Sequence, residues 1–182
     1  MAHEWMRRVI QPGDWVIDAT LGNGHDALFL AQCVGERGKV FGFDVQEQAL
    51  HSATEHLRNH GILEDAYEWH RASHARMGEL VKGSVKAVMF NLGYLPGADH
   101  SLITTADDTL AALAAAAELI VPGGMLTVVC YPGHVGGERE TLAVKEWASG
   151  QGARWHVVHY EKCATQQAAP ELIAMQKKEV RS

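Results

Sequence analysis

Short apolar runs alternate along most of the chain with longer stretches in which apolar residues recur at helical spacing. Residues 3–10 read as a short helix, closed by the turn signal Pro12-Gly13-Asp14. Residues 15–19 are short and apolar, as suits a strand buried on both faces. A helix fits from Gly24 or His25 to about Val34, with Ala27, Leu28, Leu30 and Ala31 on its apolar side. Residues 39–43 make a second strand that runs into Asp44. Residues 46–59 are helical, because Ala49, Leu50, Ala53 and Leu57 form one stripe that faces a sheet. Strands are predicted over 67–71 and 85–90. Thr105 and Asp108 have capping-box spacing, and the Ala-rich helix after them turns Leu110, Leu113, Ala117 and Ile120 inward. Pro122-Gly123-Gly124 stops that helix before a fifth strand over 125–130.

The end of the chain changes the pattern. After a helix over 138–149 come two strands, 155–160 and 172–176. The connector 161–170 has no helical stripe, so an antiparallel pairing is predicted rather than another helical crossover. Five strand–helix units followed by such a pair make an α/β, Rossmann-like fold, and the arrangement resembles that of class I S-adenosylmethionine-dependent methyltransferases. Its seven-stranded sheet is mostly parallel, with helices on both faces and the last strand antiparallel. The 182 residues suit a single domain over 1–182, without repeats or linkers.

Composition narrows the class further. The chain is 47% hydrophobic and 21% charged, and no apolar run reaches the length of a membrane span. Cys33, Cys130 and Cys163 are too few and too scattered for a zinc ribbon or a disulfide framework, which implies a reducing, cytoplasmic setting. The formal charge of −6 argues against indiscriminate phosphate binding but leaves room for a structured RNA read by a local basic patch. Eleven histidines lack a recognisable ligand spacing, so no metal is expected.

The chemistry concentrates in Asp18-Ala-Thr20-Leu-Gly22-Asn23-Gly24-His25-Asp26. Glycines permit a tight turn with close backbone approach to a ligand, and the helix N-terminus that follows favours negative charge. Asp44, at the end of the second strand, is placed to bind ribose hydroxyls. The pattern suits a dinucleotide or S-adenosylmethionine. Three residues separate Asp18 from Gly22, more than in dehydrogenases, and a carboxylate at Asp18 suits a cationic amino-acid end better than a pyrophosphate. Asp18 as a cap for the next helix or turn is the plainer alternative. The cofactor-binding candidates are Asp18, Thr20, Gly22, Asn23, Gly24, His25 and Asp26, then Asp44 and Val45, then Ser73 and His74 after the third strand, and Asn91.

Asn91-Leu-Gly-Tyr94-Leu-Pro-Gly97 leaves the fourth strand at the edge where open α/β sheets bind ligands. It is similar to the Asn-Pro-Pro-Tyr loops of methyltransferases that act on exocyclic amines. A neutral amine must aim its lone pair at the methyl carbon, so the site needs acceptors for its N–H groups. Asn91, Tyr94 and His134 are the catalytic candidates, as acceptor, stacking ring and proton acceptor in turn. Asn91 as a strand cap, Tyr94 in the core and His134 as a satisfied loop histidine are the alternatives. Asp99 and His100 are further candidates for substrate contact.

Taken together, residues 18–26, Gly42-Phe-Asp44, residues 91–97 and Tyr131-Pro-Gly-His134 resemble one family closely. It is the small methyltransferase family labelled putative rRNA methylase, which includes the enzyme that methylates 5-aminomethyl-2-thiouridine at the tRNA wobble position. The chain departs from it at Ala27, at Gln176-Lys177 and in the loop 163–169. The resemblance implies methyl transfer from S-adenosylmethionine to the wobble side-chain amine, with the tRNA anticodon loop as partner. Dimerisation would extend the RNA surface of so small a body. An rRNA or small-amine methyltransferase is the alternative within enzymes. An NAD-dependent oxidoreductase and a non-catalytic RNA-binding module are the alternatives from other classes.

Overall fold

The computed structural model describes residues 1–93, 106–133, 136–162 and 169–179. Six α-helices and seven strands alternate among the described residues. They are α1 (Ala2–Val9), β1 (Trp15–Asp18), α2 (His25–Val34), β2 (Lys39–Asp44), α3 (Glu47–Asn59), β3 (Tyr67–Arg71) and α4 (Met77–Leu80). Then come β4 (Val85–Asn91), α5 (Ala106–Leu119), β5 (Ile120–Cys130), α6 (Gly137–Gly150), β6 (Trp155–Tyr160) and β7 (Glu171–Lys177). The strands form one sheet in the order β3-β2-β1-β4-β5-β7-β6. The neighbours from β3 to β5 are parallel, and β7 runs antiparallel to both β5 and β6. The seven-stranded, mostly parallel fold expected from the sequence is the one observed.

The two faces of the sheet carry separate cores, because side chains in a strand alternate between faces. Val16 packs with Met6, Leu30, Val34 and Leu57 under α1, α2 and α3. Its neighbour Ile17 packs on the other face with Met77, Leu113, Val144 and Trp155 under α4, α5 and α6. Burying a Leu, Ile or Phe side chain contributes roughly 1.5–3 kcal/mol, so these two layers hold the rim of the sheet in place.

Three details differ from the sequence reading. Leu50 is only half-buried, whereas Ala49, Ala53 and Leu57 are fully covered, so the stripe of α3 is narrower than its apolar pattern. Phe29 and Val34 are buried beside the four residues expected on α2, because this helix lies between β1, β2 and α3. Ile120 belongs to the strand rather than to the preceding helix. Pairing of β4 with β5 starts at Val85 with Ile120 and resumes at Ala87 with Met125, so Pro122-Gly123-Gly124 forms a bulge inside β5. A Cβ at Gly124 would lie 2.5 Å from the Lys86 carbonyl oxygen, which explains why the bulge closes on a glycine.

Candidate functional site

The C-terminal ends of β1, β2, β4 and β5 meet at one rim of the sheet, and β1 and β4 are neighbours whose connections leave in opposite directions. This is the switch point at which open α/β sheets bind ligands. Asp18 ends β1, Asp44 ends β2 and Asn91 ends β4, so three of the expected site residues converge by topology alone.

The turn after β1 is a folded loop of backbone amides. Ala19 donates to the Met89 carbonyl, Leu21 to the Phe43 carbonyl and Gly24 to the Leu21 carbonyl. Gly22 (φ 47°) and Gly24 (φ 78°) are both left-handed. Gly24 has a further reason to lack a side chain: a Cβ there would sit 2.8 Å from the Ala53 Cα of α3. Its glycine therefore serves helix packing as well as the turn.

Asp18 is buried, and its Oδ1 accepts the Thr20 amide at 3.1 Å. Its Oδ2 is also buried and has no hydrogen-bond partner. Burial, then the Asp26 carboxylate, and more weakly Asp44, push the Asp18 carboxyl up to about 8, against the pull of the Thr20 and Ala27 amides. Asp44 is fixed by two backbone donors: Gly22 N–H reaches Oδ2 at 3.1 Å and Gln46 N–H reaches Oδ1 at 2.9 Å. Each carboxylate oxygen keeps a second lone pair for a hydroxyl.

The other expected residues are placed as follows. Thr20 Oγ1 accepts the backbone N–H of Asn91 at 2.8 Å, which ties the first turn to the end of β4. Asn23, His25 and Val45 are exposed on the rim. His25 does not cap α2; its ring lies 4.7 Å from that of His56, edge to face, and His56 lies 4.7 Å from His60. Burial and these two neighbours hold the His56 imidazole below its ordinary value. Ser73 caps the short turn His74–Arg76 by accepting the Ala75 amide. His74 is buried beneath the β1 turn and donates from Nδ1 to the Ala19 carbonyl at 3.1 Å. Burial holds its imidazole low, and Nε2, the acceptor of that neutral ring, has no partner. Tyr94, Asp99, His100 and His134 lie outside the described residues.

Two participants escaped the sequence reading. His3, from α1, sets its Nε2 2.6 Å from Asp26 Oδ1, and Asn91 Nδ2 lies 3.5 Å from Asp26 Oδ2. Tyr131, after β5, stands beside the Asn91 side chain; burial, then Asp26, push its phenol up against the pull of Asn91. Its ring also stands 3.5 Å from where a Gly93 Cβ would be. The only sequence signal for His3 was its place one turn before the buried Met6 on an amphipathic helix. For Tyr131 it was its place at the head of Tyr131-Pro-Gly-His134, directly after the apolar run of β5.

The Asp26 and Asp44 carboxylates give the pocket a negative field, and the Asp18 oxygen that lacks a partner asks for a hydrogen-bonding or cationic one. A pyrophosphate would be repelled here, whereas a ligand bearing a sulfonium and an ammonium group fits. The residues present therefore suit S-adenosylmethionine better than a dinucleotide.

Comparison with known proteins agrees with this chemistry. The sequence profile of the putative rRNA methylase family matches residues 40–176. The chain is 38% identical over 189 aligned residues to the chloroplastic tRNA (mnm(5)s(2)U34)-methyltransferase of Arabidopsis thaliana, covering 98% of this chain and 69% of that protein. A putative rRNA-methylase from Clostridium thermocellum superposes with a TM-score of 0.92 at 39% identity, covering 97% of this chain and 95% of the other. A putative methyltransferase from Streptococcus mutans, solved in complex with SAH, superposes with a TM-score of 0.87 at 31% identity and the same coverage.

Proposed function

The chain belongs to the putative rRNA methylase family, and from that premise we propose that it N-methylates the 5-aminomethyl group of uridine or 2-thiouridine at the tRNA wobble position. The observation that carries this reading is the 38% identity, across 98% of the chain, to a tRNA wobble methyltransferase. The class I methyltransferase fold and its neighbour in complex with SAH support S-adenosylmethionine as the methyl donor.

S-adenosylmethionine, when bound, supplies a methyl group already activated by a sulfonium. Asp18, the backbone of residues 20–24 and Asp44 are the groups that would hold it. The substrate amine resembles a lysine amine, with a solution pKa of about 10, and must lose a proton before it can react. Asn91 stands at the rim where that amine would arrive, and its side-chain carbonyl receives an N–H while leaving the nitrogen lone pair free. Tyr131 adds an aromatic surface beside Asn91, on which a base can stack. Positioning of the amine supplies much of the acceleration that this chain provides.

The test is methyl transfer to tRNA that carries 5-aminomethyl-2-thiouridine, with nucleosides resolved by mass spectrometry. A gain of one methyl group on that nucleoside supports the reading. Transfer confined to rRNA or to small amines, with that tRNA untouched, overturns it.

A further inference from the structure

We propose that His3 is a positioning residue for the transfer: through Asp26 it fixes which end of the Asn91 amide faces the substrate. This rests on the reading that Asn91 receives an amine. The argument begins with the contacts of α1, which brings an imidazole from the start of the chain to the rim. His3 Nε2 lies 2.6 Å from Asp26 Oδ1, a charge-assisted hydrogen bond. Its ring also stacks on Phe29 of α2, with centroids 3.7 Å apart and planes within 2°. The imidazole is thus held by a hydrogen bond and by a stack, both to the helix that carries Asp26.

The second carboxylate oxygen of Asp26 faces Asn91 Nδ2 at 3.5 Å. A carboxylate only accepts, and an amide has one donating end and one accepting end. Holding Nδ2 towards Asp26 therefore turns Oδ1 outward. That orientation matters for an amine nucleophile, whose N–H groups need an acceptor. The flipped amide would offer its NH2 to the amine lone pair and occupy the electrons that must attack. The backbone of Asn91 is separately pinned by Thr20, so the side-chain torsion is the remaining freedom, and Asp26 on one side and the Tyr131 phenol on the other restrict it. Without His3, the carboxylate of Asp26 loses the donor that sets its own rotamer.

Two substitutions separate positioning from packing. His3→Gln keeps a donor near Nε2 and loses the stack, whereas His3→Phe keeps the stack and loses the donor. Expected for His3→Phe is a five- to thirtyfold lower kcat on the aminomethyl tRNA, with the KM for S-adenosylmethionine within about threefold and Tm lowered no further than the loss of one hydrogen bond accounts for. His3→Gln should restore kcat to within about threefold of the parent. If His3 only packs α1 onto α2, the order inverts: His3→Phe stays active and His3→Gln loses stability and activity together.

A second readout needs no substrate. The side-chain amide resonances of Asn91 in 15N-labelled protein should shift or broaden in His3→Phe and stay in place in His3→Gln. Unchanged Asn91 resonances in His3→Phe overturn the proposal. Failure of the parent protein to methylate the tRNA overturns the proposed substrate instead, and the resonances then still decide whether His3 sets the amide.

Discussion

The backbone N–H of Asn91 donates to the hydroxyl of Thr20 across 2.8 Å, although the two residues are 71 positions apart in the chain. One hydrogen bond thereby joins the turn after β1 to the last residue of β4, the two walls of the candidate site. Thr20 is held in turn by its own amide, which donates to Asp18. Movement of either wall would be felt by the other.

Thr20→Val removes the acceptor and keeps the shape. The expected cost is about 1 kcal/mol of stability, the usual net worth of such a bond. Methyl transfer should fall more than cofactor affinity, because Asn91 loses its anchor while Asp18 and Asp44 keep theirs. Thr20→Ser should behave like the parent. Urea denaturation and calorimetric titration with S-adenosylmethionine check the two halves. Equal losses in Thr20→Ser and Thr20→Val would assign the effect to packing of the methyl group.

The fold was legible because its signals are local. The short apolar run at residues 15–19, the helical stripe of α3 and the turn signal Pro12-Gly13-Asp14 all act within a few residues. The convergence of Asp18, Asp44 and Asn91 was also legible, since parallel strands bring their C-terminal ends to one rim. What the sequence hid were contacts between distant segments. His3 meets Asp26 only because α1 folds back beside α2, and no spacing encodes that. The bulge at Pro122-Gly123-Gly124 looked like a terminator because the motif is the same. Only its neighbour Lys86 reveals that the strand has already begun.

Asp18 should make stability depend on pH in an unusual direction. Its carboxyl is raised from an ordinary 3.8 to about 8 in the folded protein, chiefly by burial. Between these values the folded state holds a proton that the unfolded state has released. The resulting stabilisation is full below about pH 4 and drains away as pH rises towards 8, at up to about 1.4 kcal/mol per pH unit. Asp18→Asn removes that titration. The variant should show a flatter dependence of Tm on pH from 5 to 8, relative to the parent, together with weakened binding of S-adenosylmethionine. Parallel Tm curves for the two proteins would show that Asp18 is ionised in the folded state.

Gly24→Ala should be far more damaging than Gly136→Ala. Both glycines are left-handed, with φ 78° and ψ 16° at Gly24 and φ 81° and ψ −14° at Gly136, so the backbone strain is similar, of the order of 1 kcal/mol. A Cβ at Gly136 meets nothing within 4 Å, whereas one at Gly24 meets the Ala53 backbone at 2.8 Å. The clash must push α3 from α2, and core overpacking of this kind adds roughly 1–3 kcal/mol. Thermal unfolding of the two variants gives the comparison directly. Similar Tm losses would mean that α3 yields without cost.

Asn91→Asp tests the chemistry at the acceptor. The new carboxylate keeps an oxygen for the amine N–H but replaces the Nδ2 that faces Asp26, so two carboxylates would stand about as close as the present 3.5 Å. Added negative charge favours the ammonium form of a nearby amine, and that form cannot attack. The acid limb of the pH–kcat/KM profile should therefore move to higher pH, with activity recovering in alkaline buffer. Asn91→Ala should lower kcat by about 10²-fold at every pH, the scale reported by removing one fixed polar group from a reaction centre. Binding of S-adenosylmethionine should stay within about threefold in both variants, because Asp18 and Asp44 are untouched. A pH profile for Asn91→Asp that superposes on the parent would show that the amine does not approach this side chain. Loss of cofactor binding in Asn91→Ala would move Asn91 from the substrate side of the site to the cofactor side.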